Sequence, residues 1–402
     1  MKNAVVCAAA LFAVAVTLSA QSAITVFEGG RVIVGDGRVI ENASVVVDGG
    51  RITQVGASVK APAGATRVSL AGKTLMPAIV DAHVHTSTTA PELEPDLRRR
   101  AYYGVGAALS MGLDSTDATF AQRAKTVPGL ARVFTAGRGI TAPEKGRTDV
   151  PYWITTPEEG RKAVQENAAR KVDIIKIWVD DRDGKFPKLT PPLYAAVIDE
   201  AHKMKLRVTA HIFSLEDAKG LLKAGIDSFA HGIRDRDMDD EAIGLLKARP
   251  NFVLIPNMPD RGAATDYSWL RGSIPDAELQ KIQAGSTDRP QAAATWAIQG
   301  RNLKKMSDAG VKITVGTDGN TPWAPHVEMA DMVAAGMTPS QVIIAATKNG
   351  AEFLRMPDTG TIEAGKTADL LVLDANPLDD ITNTRKISAV YLRGVAVDRK
   401  AQ

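Results

Sequence analysis

Three textures of apolar and polar residues follow one another along the chain. The first is a short leader: Met1-Lys2, an apolar stretch from Ala4 to Leu18, then small and polar residues from Ser19 to Ala23. These are the three parts of a secretory signal over residues 1–22, too short to span a bilayer comfortably and without a stop-transfer flank. The second texture is a set of short β-rich pieces broken by GG, GDG and DGG turns, in ITVFEGGRVIVGDGRVIENASVVVDGGRITQVG. It returns only near the other end, in GTIEAGKTADLLVLDANPLDDI and ISAVYLRGVAVD. Two β segments so distant in sequence make most simply one small β-sandwich, from residues 23–76 and 357–402, interrupted by a long insertion over residues 77–356.

Within that insertion lies the third texture, in which apolar runs alternate with helical patterns, as in βα units around a parallel sheet. The runs that predict strands are AIVDAHVHT, AALSMGLDST, ARVFTAGRG, VDIIKIWVD, LRVTAHIF, DSFAHG, FVLIPNM and VKITVGTDG. Between them, segments such as TPEEGRKAVQENAARK and SLEDAKGLLKAG open on Thr or Ser with a Glu close behind and end on Lys or Gly, as capped helices do. Eight strands over about 280 residues predict a (β/α)8 TIM-like barrel in preference to a doubly wound open sheet.

Composition narrows the function more than the fold. The only cysteine, Cys7, lies inside the leader, so the mature protein forms no disulfide and depends on core burial. With 49 basic against 46 acidic residues, no basic run and no aromatic-interleaved patch, nothing points to nucleic acid or an anionic membrane surface as a partner. The leader predicts a periplasmic or secreted location and, once removed, no membrane span. Homo-oligomer formation is left open.

The rare chemistry gathers at one place on this plan. Two of the six histidines, His83 and His85, stand one residue apart in VDAHVHT, so they project to the same face at the end of the first strand. Lys176 lies in the fourth strand, His211 ends the fifth, His231 the sixth, and Asp318, in GTDG, the eighth. The C-terminal rim is where barrel enzymes assemble their sites. Four histidines and a carboxylate suit zinc or a similar divalent ion. A desolvated lysine shifts toward its neutral amine, which can add carbon dioxide and become an anionic carbamate able to bridge two cations.

HVH after a strand, a lysine on strand four, histidines on strands five and six and GTD on strand eight resemble the amidohydrolase superfamily, of the binuclear type with a carboxylated lysine. The stretch GTDGNTPWAPHVEMADMVAAGMTPSQVIIAATKNGAEFLRMPDTGTIEAGKTADLLVLDANPLDDI resembles its imidazolonepropionase-like branch, which includes secreted dipeptidases of the prolidase type. The resemblance implies His83, His85 and Asp318 on one metal, His211 and His231 on the other, and carboxylated Lys176 between them. It implies two divalent ions, zinc first among them, and carbon dioxide for Lys176. One departure is visible: the second strand runs into GLDSTDAT, where the branch often has a Thr-Thr-rich segment leading to an Arg-Asp or similar pair.

Other polar residues are expected to be structural. His202 lies in the helix before strand five, away from the rim. His326, above strand eight, is a candidate substrate contact or supporting residue as much as a helix-start residue. Tyr152, Trp153, Trp178 and Trp323 are expected to pack, and Asp374, Asp379 and Asp380 to lie in a solvated turn. Arg138, Arg234 and Arg236 lie in rim loops, either gripping a substrate carboxylate or solvated.

A hydroxide bridging two cations would attack an electrophilic carbon, with Asp318 shuttling its proton to the leaving nitrogen. The expected function is therefore an exported metal-dependent hydrolase of a C–N bond in a small amide, dipeptide or N-acyl amino acid. The alternatives are hydrolysis of an ester, lactone or phosphotriester at the same centre, and a metal-site binding protein without turnover.

Overall fold

A computed structural model describes residues 24–400, so the expected leader, with Cys7, lies outside the described residues. Both ends of the chain build one eight-stranded sheet. Thr25–Ile33, Val39–Asp48, Arg51–Gly56, Thr66–Ser69 and Thr74–Pro77 come from the N-terminal side, and Leu370–Leu373, Ile387–Leu392 and Val395–Ala396 from the C-terminal side. The arms join where Leu370–Leu373 runs antiparallel to Thr74–Pro77. The sheet encloses its own apolar core, including Phe27, Val45, Ile52, Leu75, Leu370 and Val372. Its DGG turn needs glycine: Gly50 has φ +79°, and a Cβ there would lie 2.5 Å from the carbonyl oxygen of Arg393.

The insertion is a TIM-like array of parallel strands. Ile79–Val84, Val105–Ser110 and Arg132–Thr135 form one sheet; Ile175–Val179, Val208–Ile212, Ser228–Ala230, Val253–Ile255 and Lys312–Ile313 belong to a second. Isolated bridges link the two sheets. At one seam Asp81 pairs with Val315 and Val84 with Gly319; at the other, Asp173 N–H donates to the Thr135 carbonyl at 2.9 Å. The first strand is buried at every position, as expected when helices cover one face and a barrel core the other. Two short additions, Ile140–Thr141 and Tyr152–Trp153, extend the second sheet from the loop after the third strand.

Helix Pro157–Ala169 begins with a capping box between Thr156 and Glu159, and Leu215–Ala224 with Ser214 accepting from the Asp217 amide. No described helix is long and apolar enough to cross a membrane.

The observed strands end earlier than the apolar runs. His85, His231 and Asp318 lie beyond the ladders, and His231 and Asp318 take the left-handed backbone at φ 92° and 52°. The chain leaves the ladder where it turns these side chains inward, and the cost of that backbone is borne by packing around it.

One buried ion pair braces the rim from behind. Arg100 and Asp96, one turn apart on helix Ala90–Tyr102, are 0% and 2% exposed and 3.2 Å apart. Asp96 also accepts from the Ser87 amide, and Arg100 donates to the Gly319 carbonyl, one residue past Asp318. Replacing Arg100 by Ala orphans a buried carboxylate next to the first and last strands. Urea unfolding should then show a loss of about 3–5 kcal/mol; a loss below about 1 kcal/mol would mean the pair does not brace this seam.

Candidate metal centre

Asp318 stands at the centre of the rim. Its backbone amide donates to the His83 carbonyl at 2.8 Å, which pins the carboxylate over the first strand. One oxygen, Oδ1, lies 3.0 Å from His83 Nε2 and 3.1 Å from His85 Nε2. The other, Oδ2, lies 3.3 Å from His231 Nε2. The shared strand face of His83 and His85 thus converges on one atom. Among the described residues, His83, His231 and Asp318 form a group whose ligand atoms all lie within 4.8 Å of one another. The His211 ring packs edge-on to His231 at 4.3 Å between centroids.

The hydrogen bonds around these rings decide which nitrogens are free. His83 is fully buried, and burial together with the nearby Lys176 charge lowers its pKa to about 4, so it is neutral and has one N–H. That N–H, on Nδ1, is directed at Asn257 Oδ1 at 2.9 Å. Nε2 therefore carries a lone pair toward Asp318 Oδ1, and two acceptors at 3.0 Å repel unless a cation lies between them.

His211 has the same design. Burial, Lys176, Arg182 and Arg234 hold it neutral, and its Nε2 lies 2.8 Å from Asp180 Oδ2. Arg182 Nη1 lies 3.0 Å from the same nitrogen, so Nε2 is engaged by protein groups and Nδ1 is the nitrogen left to face a cation. His231 is held neutral by burial, with His211 next in effect, and neither of its ring nitrogens has a hydrogen-bond partner.

Lys176 completes the ring from strand four. It is 0% exposed, its Nζ has no hydrogen-bond partner, and burial lowers its pKa to about 7. Two residues along the same strand face, Trp178 lies beside it, its ring centre 5.3 Å from Nζ. Space for the indole comes from a glycine: a Cβ on Gly139 would lie 2.0 Å from the Trp178 ring. The unpaired buried nitrogens of His83 and His231 beside one carboxylate, with the unpaired Lys176 amine in the same electrostatic neighbourhood, fit a divalent ion with nitrogen and oxygen ligands.

Not every candidate residue belongs to this cluster. His326 is 1% exposed, and its nitrogens meet the Tyr103 carbonyl at 2.9 Å and Thr384 Oγ1 at 3.1 Å. The substrate contact expected for it gives way to a structural role, because both nitrogens are engaged in tying a helix start to its neighbours. His202 pairs with Asp227 at 2.8 Å on the helix before strand five. Asp379 and Asp380 make local turn hydrogen bonds, and Asp374 pairs with Lys73.

Residues that the sequence reading passed over support the cluster from outside: Asn257, Asp180, and Asp81, which accepts from Thr317 Oγ1 at 2.9 Å. Asn257 ends the seventh strand run and Asp180 the fourth, so the strand-end rule that found the histidines also reaches them.

Comparison with known proteins agrees with this geometry. A model of the amidohydrolase family matches residues 74–397. The imidazolonepropionase of Streptomyces griseus subsp. griseus is 26% identical over 364 residues, covering 84% of this chain and 87% of that protein. Among solved structures, a candidate prolidase from Bifidobacterium longum superposes with a TM-score of 0.79 at 28% identity, over 95% of this chain and 96% of that one. A Xaa-Pro dipeptidase with methionine bound in its active site shares the fold, with a TM-score of 0.75 at 24% identity over 93% and 99% of the two chains. With a family match over most of its length and a cluster of metal-type ligands at the barrel rim, this chain belongs to the amidohydrolase family and is a hydrolase of carbon–nitrogen bonds.

Proposed function

We propose that the protein cleaves the C–N bond of an amide, a dipeptide of the prolidase kind or an N-acyl amino acid at a centre of two divalent cations, with zinc the first expectation. The carrying observation is the set of buried lone pairs and the unpaired Lys176 amine arranged around Asp318. His83, His85 and Asp318 would hold one cation and His211 and His231 the other. Lys176, drawn toward its neutral amine by burial, would take up carbon dioxide as a carbamate and bridge them. The imidazolonepropionase and prolidase likenesses support a C–N bond as the target. Export to the periplasm or beyond, read from residues 1–22, belongs to the same proposal.

Cations bound there lower the pKa of a water and polarise an amide carbonyl. The chain's own part is to place and move the proton. Asp318 is the carboxylate that meets His83, His85 and His231, and at 36% side-chain exposure it opens toward solvent. It takes the proton of the attacking water as the new C–O bond forms, and gives it to the nitrogen as the C–N bond breaks. Asn257 engages Nδ1 of His83 and Asp180 engages Nε2 of His211, which orients both rings with the opposite nitrogen toward the cations.

Two outcomes are expected. Purified mature protein should hydrolyse members of a panel of dipeptides and N-acyl amino acids and lose that activity to a chelator. In fully metallated Asp318→Asn, kcat should fall by about 10²–10⁴-fold. Unchanged turnover in that variant would remove Asp318 from proton transfer, and cleavage confined to esters or lactones would overturn the C–N assignment. Separately, Asn257→Ala should weaken metal affinity about 10–100-fold in a chelator competition assay; unchanged affinity would mean that Asn257 does not set the His83 tautomer.

A further inference from the structure

The basic residues at the rim differ in how their charge is answered. Arg138 donates through Nε to the Val150 carbonyl and lies 4.0 Å over the Tyr152 ring. Arg182 pairs with Asp180 at 2.6 Å and lies 3.6 Å from Glu144. Arg236 is exposed and pairs with Asp235 at 2.8 Å. Arg234 makes no ion pair with an acid among the described residues, and its Nε is buried without a hydrogen-bond partner.

Its position ties it to the centre. Arg234 follows His231 by three residues, and its amide donates at 3.1 Å to the carbonyl of Phe213, two residues past His211. The loop is therefore fastened to the strands that deliver both histidines. The guanidinium carbon lies 5.3 Å from the centre of the Phe213 ring, which limits how the group can turn. Its charge acts on Asp180 and Asp318 and helps keep His211 and His231 neutral, so it stands within electrostatic reach of the reacting atoms.

A guanidinium does not shed its proton, so a half-buried one with no acid beside it has N–H groups directed at nothing in the protein. The complement to its planar fork is a planar anion with two oxygens and a single negative charge. We propose that Arg234 binds the carboxylate of the substrate, so that the enzyme acts on N-acylated amino acids or dipeptides with a free carboxylate and discriminates against neutral amides. The inference rests on the C–N hydrolase reading of the same centre. It names what that reading leaves open: the anionic group by which the substrate is held while its amide meets Asp318.

The test uses the metal-loaded full protein and the product side of the reaction, so that binding is read without turnover. Calorimetric titration compares proline, methionine and phenylalanine, each as the free acid and as its carboxamide. At least one acid should bind about 100-fold more tightly than its carboxamide, and in Arg234→Gln that ratio should fall to within about threefold. Arg234→Lys, which keeps the charge and loses the fork, should give an intermediate ratio. Acids and carboxamides binding alike in the wild type, no acid binding at all, or a full preference surviving in a folded Arg234→Gln would each overturn the proposal. If Arg234→Gln does not fold, the wild-type ratio decides. Acid preference without cleavage of any dipeptide or N-acyl amino acid would leave the anchor standing and sink the hydrolase reading, which keeps the two failures apart.

Discussion

The centre depends on one constraint: neutral imidazole nitrogens and a carboxylate held closer together than their lone pairs allow unless a cation lies between them. His83 shows it most plainly. Its single proton is turned to Asn257, and the opposite nitrogen faces Asp318 at 3.0 Å. His231 Nε2, also without a hydrogen-bond partner, approaches the other oxygen of the same carboxylate at 3.3 Å. Such an arrangement is costly in a protein that binds nothing there and favourable in one that binds a divalent ion.

Much of the surrounding structure serves to hold that arrangement in place. The eighth strand meets the first through isolated bridges, and Asp318 turns inward there through a left-handed backbone anchored on the His83 carbonyl. Arg100 braces the residue after it. On the far side, Gly139 leaves room for Trp178, which packs beside the Lys176 amine. The small β-domain clamps both ends of the barrel segment through the pairing of Leu370–Leu373 with Thr74–Pro77 and the Arg51–Thr367 bridge. In the loop after His231, Arg234 adds a positive charge that makes no ion pair among the described residues.

Much of this was legible in the sequence because barrel strands and their end residues follow simple rules. Each of the eight apolar runs overlaps a strand, and the residues at their ends, His83, His85, His211, His231 and Asp318, meet where parallel-strand geometry puts them. Strand limits were overrun because apolar character continues past the last ladder hydrogen bond, and only the backbone turn at His231 and Asp318 marks the stop. His326 misled because a histidine just after strand eight has no pattern that tells a rim contact from a buried clasp. Arg234 had to wait for the structure, since its three-residue spacing from His231 says nothing of whether an acid lies beside it. The supporting role of Asn257 was likewise hidden: tautomer control is a matter of distance, not of spacing.

The central claim is that this ring of ligands holds a pair of cations bridged through Lys176. The most direct measurement is elemental analysis of purified protein refilled with zinc in the presence of bicarbonate, for the wild type and for Lys176→Ala. The account predicts about two ions per wild-type chain and about one or fewer in the variant, because the bridging group is lost. Fewer than about one ion per wild-type chain, or an unchanged count in Lys176→Ala, would contradict it.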